Sequence, residues 1–210
     1  MPEETALYRA ILEGDAKGSK AAAEEELNRG MDPQSIVNEQ MIAAMDEVGR
    51  RFECHEYFVP EMLISARAMK SALEVLRPHL GKGGVSGKGK VLIGTVKGDL
   101  HDIGKNLVGA MLEGAGFEVV DLGTDVSAER FVQTAKDENA HVVALSALLT
   151  TTMPSMKGVI EALASAGLRS SVKVMVGGAP LTPEFAKQIG ADGYAATAGA
   201  AAHLARELVS

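Results

Sequence analysis

From residue 89 onward the chain repeats one unit, a short β-branched run followed by a helical stretch. "KVLIGTV" (90–96), "FEVVDLG" (117–123), "HVVALSA" (141–147) and "VKVMVGG" (172–178) show little polar alternation, the pattern of strands covered on both faces. Helical stretches are predicted over 104–115, 127–138, 155–166 and 182–189, and a weaker strand, "GYAAT", precedes a last helix near 199–209. Repeated strand–helix units have few solutions, and the simplest is an α/β fold with a five-stranded parallel sheet and right-handed crossovers. Such sheets take their ligands at the carboxyl ends of the strands.

The first part of the chain has a different rhythm. Ala6, Leu7, Ala10 and Ile11 share one face of a short helix. Asp32 followed by Pro33 is a helix start, after which Ile36, Val37, Met41, Ile42, Met45 and Val48 recur at three- and four-residue steps. Pro60 opens another helix, whose Met62, Leu63, Ala66, Met69, Leu73 and Leu76 repeat the spacing until Pro78. A four-helix bundle is expected over residues 1–82. The stretch "GKGGVSGKGK" then reads as a solvated linker, placed at 83–90, with the sheet domain over 91–210.

Of the chain's 210 residues, 46% are apolar, enough for a real core, but there is no tryptophan and aromatics make up 4%. Leu, Val, Ile, Ala and ten Met must therefore fill it. A net charge of −7 argues against nucleic acid or an anionic membrane as the main partner. The single cysteine, Cys54, excludes an internal disulfide and any multi-cysteine metal site. "MPEETALYRAILEGD" is too charged for a secretory signal, and no window nears 18 uninterrupted apolar residues, so a cytoplasmic location is expected.

Chemistry is concentrated in "GTVKGDLHDIGKN" (94–106), between the first strand and the next helix. Gly98, Gly104 and Lys105 resemble a phosphate loop only loosely. Five residues separate the glycines where the motif has four, Asn106 stands where Ser or Thr would hold magnesium, and Asp99 and Asp102 would repel an anion. The imidazole of His101 is the better candidate, although a lone loop histidine is more often solvated or a helix cap. Asp99, two residues before it, can accept a proton from one ring nitrogen while the other faces outward. The neighbouring glycines would let a bulky ligand approach. Further loops at the same edge carry Ser146 and Thr150, then Gly177 and Gly178, the glycine pair having an ordinary strand-to-loop turn as its alternative reading.

D-x-H-x-x-G at Asp99, His101 and Gly104, S-x-L at Ser146 and Leu148, and G-G at Gly177 and Gly178 together resemble the corrinoid-binding motif. It is shared by the cobalamin domain of methionine synthase and the corrinoid proteins of methanol and methylamine methyltransferase systems. The His101-to-Ser146 spacing of 45 fits, and "EYFVPEMLISARAMKSAL" (56–73) resembles the family's helical cap, so the likeness spans nearly the whole chain.

The resemblance implies a flavodoxin-like, Rossmann-type domain holding a cobamide base-off, with His101 as the lower ligand of cobalt. Leu100, Asp102 and Ile103 would line the site beside His101, with Gly98 and Gly104. Gly94, Gly177 and Gly178 would leave a slot for the detached nucleotide tail, lined also by Ser146 and Leu148, with Thr150 and Ala198 around the nucleotide. Asp99 and Ser146 would relay a proton from the ligand nitrogen, taken up as the axial bond breaks. Phe58 and Met62 would cover the cofactor's upper face, against the alternative that the Met and Leu stripes are plain bundle core. Cys54 and His55 are treated as incidental.

The activity implied is that of a methyl-carrying corrinoid subunit, non-catalytic alone. One methyltransferase would load it from methanol, a methylamine, a betaine or a methoxylated aromatic, and a second would pass the methyl to a thiol or tetrahydrofolate. A reductive activator is a further partner. The alternatives are a cobamide-sensing regulatory module, for which no helix-turn-helix is evident, and the small subunit of an adenosylcobalamin mutase, against which the helical cap speaks.

Overall fold

Five parallel strands stand in the order β2-β1-β3-β4-β5, in a computed structural model that describes residues 4–79 and 89–209. They are β1 (Lys90–Thr95), β2 (Glu118–Asp121), β3 (Val142–Ser146), β4 (Lys173–Gly177) and β5 (Gly193–Ala195). This is the flavodoxin-like order, whose direction of winding reverses between β1 and β3. In register, Thr95 pairs with Ser146 and Ser146 with Gly177, so three strand ends lie side by side.

The central strands are buried along nearly their whole length, as their unbroken β-branched runs require. Each is one or two residues shorter than its apolar run. β2 stops at Asp121, whose carboxylate turns back to accept the Gly123 N–H at 2.8 Å. Phe131, Leu92, Val143, Leu145, Met156, Leu163 and Val174 form the centre of the core. The crossover helices are α6 (Ile103–Gly114), α7 (Ala128–Asp137), α8 (Met153–Ser165) and α9 (Pro183–Ile189), with α10 (Ala198–Leu208) closing the chain. Ser127, Thr182 and Thr197 cap α7, α9 and α10 by accepting backbone N–H groups three residues on.

The described residues divide into two compact units, one helical and one built on the sheet. The helical unit holds α1 (Ala6–Leu12), α2 (Ala16–Asn28), α3 (Pro33–Ser35), α4 (Ile42–Glu53) and α5 (Val59–Leu76). α3 runs through a π-helical segment, Ile36–Met41, into α4, so these three form one rod and the bundle has four. Asp32 caps it through the Ser35 N–H, with Pro33 in the first turn. The Leu12 carbonyl at the end of α1 accepts both the Ser65 and the Tyr57 hydroxyl at 3.1 Å, tying α1 to α5.

Residues 80–88, most of the expected linker, lie outside the described residues. Lys90, the last residue assigned to it, is the first residue of β1.

Candidate functional site

His101 sits in the loop between β1 and α6, at the point where the winding of the sheet reverses, and three of its groups are fixed. Its ring Nδ1 lies 2.7 Å from Asp99 Oδ1, and its backbone N–H donates to the same oxygen at 3.1 Å. Its carbonyl accepts the hydroxyl of the fully buried Thr95 at 2.8 Å. Among the described residues no hydrogen bond engages Nε2, and the side chain is 49% exposed. The imidazole is therefore gripped at one nitrogen and open at the other.

Asp99 is fully buried and surrounded by donors. Oδ2 accepts the Leu148 N–H at 2.8 Å, the Leu149 N–H at 3.2 Å and the Thr152 hydroxyl at 2.8 Å. Burial by itself would raise the carboxyl, but the Leu148 and His101 N–H groups, the ring and the Thr152 hydroxyl together hold it well below the usual carboxylate range. Beside an ionised Asp99 the neutral tautomer that suits the contact has its proton on Nδ1, with Nε2 as the open nitrogen, the arrangement used by metal-ligating histidines.

The hydroxyl seated on this carboxylate is that of Thr152, not that of Ser146. Ser146 is half-buried at the end of β3, and its carbonyl accepts the Val96 N–H. The turn that follows β3 presents two N–H groups to Asp99 and then folds Thr152, buried just before α8, onto the same oxygen. Thr150 is exposed in that turn. Residue type and order gave no signal for choosing Thr152 from the run "LLTTT".

The strand-end glycines also have a reason inside the fold. A Cβ on Gly94 would lie 2.7 Å from the ring of the buried Phe131, and one on Gly177 would lie 3.1 Å from the Ala195 carbonyl oxygen. Gly178, at φ +139, would drive its Cβ into the Ala147 carbonyl. On the Cβ side of these three glycines lie core and neighbouring backbone. Gly104 is the contrary case, since nothing lies within 4 Å of a Cβ placed there. Ala198 is buried in the first turn of α10. In the helical unit Phe58 is exposed, and Met62 is buried on α5. Cys54 is exposed beside Arg50.

Around His101 the surface is apolar. Leu100 and Ile103 are 73% and 77% exposed, and Leu148 and Leu149, whose N–H groups sit on Asp99, are exposed as well. Asp102 lies beside them and accepts the Asn106 side-chain amide at 3.2 Å. Exposed leucines and isoleucine clustered about one outward nitrogen mark a binding surface rather than a solvated loop. Among the described residues no three His, Cys, Asp or Glu side chains converge on a common metal position.

Comparison with known proteins identifies the family. A B12 binding domain family matches residues 89–203, and a second B12 binding domain family matches residues 3–77. The chain belongs to the B12-binding corrinoid proteins. It is 46% identical over 195 residues to dimethylamine corrinoid protein 1 of Methanosarcina acetivorans, covering 92% of each chain. Its fold is similar to a cobalamin-binding protein from Desulfitobacterium hafniense, with TM-score 0.83, 30% identity and full coverage of both chains. It is equally similar, again at 0.83 and 30%, to a chain of the methanol:cobalamin methyltransferase complex of Methanosarcina barkeri, covering 97% of this chain and 78% of that one.

The residues of this corrinoid protein suit such a group. One imidazole nitrogen is free to meet cobalt, and Leu100, Ile103, Leu148 and Leu149 offer apolar contact to a corrin ring.

Proposed function

We propose that this corrinoid protein carries a methyl group between two methyltransferases, holding its cobamide base-off with His101 Nε2 as the lower ligand of cobalt. The bound cobamide supplies a cobalt centre able to accept and release a methyl group. The chain supplies the rest. Asp99 keeps the Nδ1 proton in place and makes Nε2 a better donor, and Thr152, Leu148 and Leu149 hold Asp99 ionised. The apolar residues around His101 exclude water from the face they cover.

The loading partner is a methyltransferase of the methanol or methylamine class, as the names of the similar proteins suggest. The accepting partner delivers the methyl to a thiol or to tetrahydrofolate, and a reductive activator restores the cofactor after oxidation. In this reading the helical unit serves as the removable cover of the upper face, with Phe58 at its exposed surface. Among the described residues no helix is long and apolar enough to cross a membrane, and we place the shuttle in the cytoplasm.

The observation that carries this reading is the outward Nε2 set among exposed apolar side chains with Nδ1 locked on a buried carboxylate. Reconstitution with hydroxocobalamin tests it. After one-electron reduction the wild type is expected to show the electron-spin signature of one axial imidazole nitrogen, and His101→Ala to lose it. Full reduction and methyl iodide should then give a methylated chromophore that a purified methyltransferase can discharge. A protein that stays colourless, or a signature unaffected by His101→Ala, would overturn the reading.

A further inference from the structure

The loop that carries His101 is held from two directions, and the two holds act on different atoms. From the β3 side, Leu148, Leu149 and Thr152 take the side chain of Asp99. From the β2 side, the segment between β2 and α7 takes the backbone on the approach to His101. The Asp125 N–H donates to the Asp99 carbonyl at 3.0 Å. Asp125 Oδ1 accepts the Gly98 N–H at 2.8 Å, and Oδ2 pairs with Lys97 Nζ at 3.2 Å. Three consecutive residues, Lys97, Gly98 and Asp99, thus rest on one aspartate.

Asp125 adopts a left-handed backbone, φ +54, which is uncommon outside glycine and tolerated by Asp. Positions of this kind persist where the surroundings over-determine them, and they gather at functional sites. The neighbours of Asp125 are stitched to β1 as well, with Thr95 N–H on the Gly123 carbonyl at 2.9 Å and Val126 N–H on the Thr95 carbonyl at 3.0 Å. The end of β2, which leads into this segment, also reaches past His101. Asp121 accepts from Lys105 Nζ at 2.5 Å, and Lys105 is a buried lysine in the first turn of α6. Residues 97–99 on one side of His101 and Lys105 on the other are therefore anchored to the same stretch, 121–126. Between those anchors Leu100, Asp102, Ile103 and Gly104 are all exposed, and the tie to the sheet is the Thr95 hydroxyl on the His101 carbonyl.

We propose that Asp125 is a positioning residue for His101: together with Asp121 it makes the β2–α7 segment a brace that sets how far the imidazole stands from the sheet edge, and hence how strongly it binds the metal. The inference rests on the cobamide reading above. A metal–nitrogen bond is sensitive to displacements much smaller than the freedom of an unbraced loop, so ties to the backbone on either side of His101 add to the grip on the residue itself.

Two substitutions separate the brace from simple folding. Asp125→Gly keeps the left-handed turn without strain but removes the acceptor for Gly98. Asp125→Asn keeps both an acceptor oxygen and the tolerance for the turn, losing only the exposed pair with Lys97, which contributes little. In the cofactor-free protein, Asp125→Gly is expected to speed amide hydrogen exchange at Gly98 at least tenfold, with β3 and β4 unchanged. In protein loaded with cob(II)alamin, the fraction showing axial imidazole splitting in the electron-spin spectrum should fall at least twofold in Asp125→Gly and return in Asp125→Asn. A purely structural role would lower the melting temperature without changing that fraction. Unchanged exchange at Gly98, or an unchanged fraction in a wild-type-like spectrum, overturns the brace alone. A wild type with no imidazole splitting overturns the cobamide reading, and the brace with it.

Discussion

Gly94, Gly177 and Gly178, at the ends of the strands, differ from Gly104, at the start of α6, in what surrounds the missing side chain. At the strand ends the space is taken by protein: the Phe131 ring, the Ala195 carbonyl and the Ala147 carbonyl. At Gly104 the space is open. The first group is accounted for by the fold, through close approach of core and backbone. The second is not accounted for by packing, and it lies two residues after the exposed Asp102 and next to Ile103, beside His101. Position in a motif says that a glycine matters, and only its surroundings say why.

Gly178→Ala should have the largest effect. The new Cβ overlaps the backbone carbonyl of Ala147, which cannot move without parting β3 from β4, and φ +139 is strained for any other residue. A loss of about 3 kcal/mol or more in urea denaturation is expected, and folding at moderate temperature is at risk. Gly94→Ala follows. Phe131 is fully buried and its ring must retreat within the core, so about 1–3 kcal/mol should be lost. Tolerance of both substitutions would erase the distinction and return these glycines to an open slot.

The sheet was legible in the sequence and parts of the site were not, for reasons visible at particular residues. Strands buried on both faces need continuous apolar runs, so β1, β3 and β4 announce themselves. α2 does not, because the residues it buries are Ser19, Ala22, Ala23 and Glu26 rather than a stripe of large side chains. The Ile36–Met41 π-helical segment leaves the apolar spacing almost unchanged, so periodicity passes over it. His101 and Asp99 are two residues apart and could be paired on sight. Thr152 is 53 residues from Asp99 and Asp125 is 27 from Gly98, and both pairings depend on how neighbouring strands lie in register.

The choice between hydroxyls can be tested at intermediate size. Thr152→Val removes one donor from a buried, ionised carboxylate at nearly constant volume, and should cost about 1–2 kcal/mol. Ser146→Ala should stay within about 0.5 kcal/mol of wild type. The reverse order in thermal unfolding would restore Ser146 as the partner of Asp99.

Gly104→Ala should have the smallest effect on the fold, and of opposite sign. Gly104 lies in the first turn of α6, exposed, with no atom near the position of a Cβ. Alanine there reduces the freedom of the unfolded chain and favours helix, so the cofactor-free protein should gain about 0.5–1 kcal/mol. A methyl group added beside Leu100 and Ile103 would nonetheless stand on the surface assigned to the corrin ring. Cobalamin affinity, followed by absorbance titration, should fall at least several-fold in this more stable protein. Stability and affinity moving in opposite directions is the outcome that only an external ligand can produce at a position the fold leaves free. If both rise, or neither changes, the open space beside Gly104 has no ligand to receive.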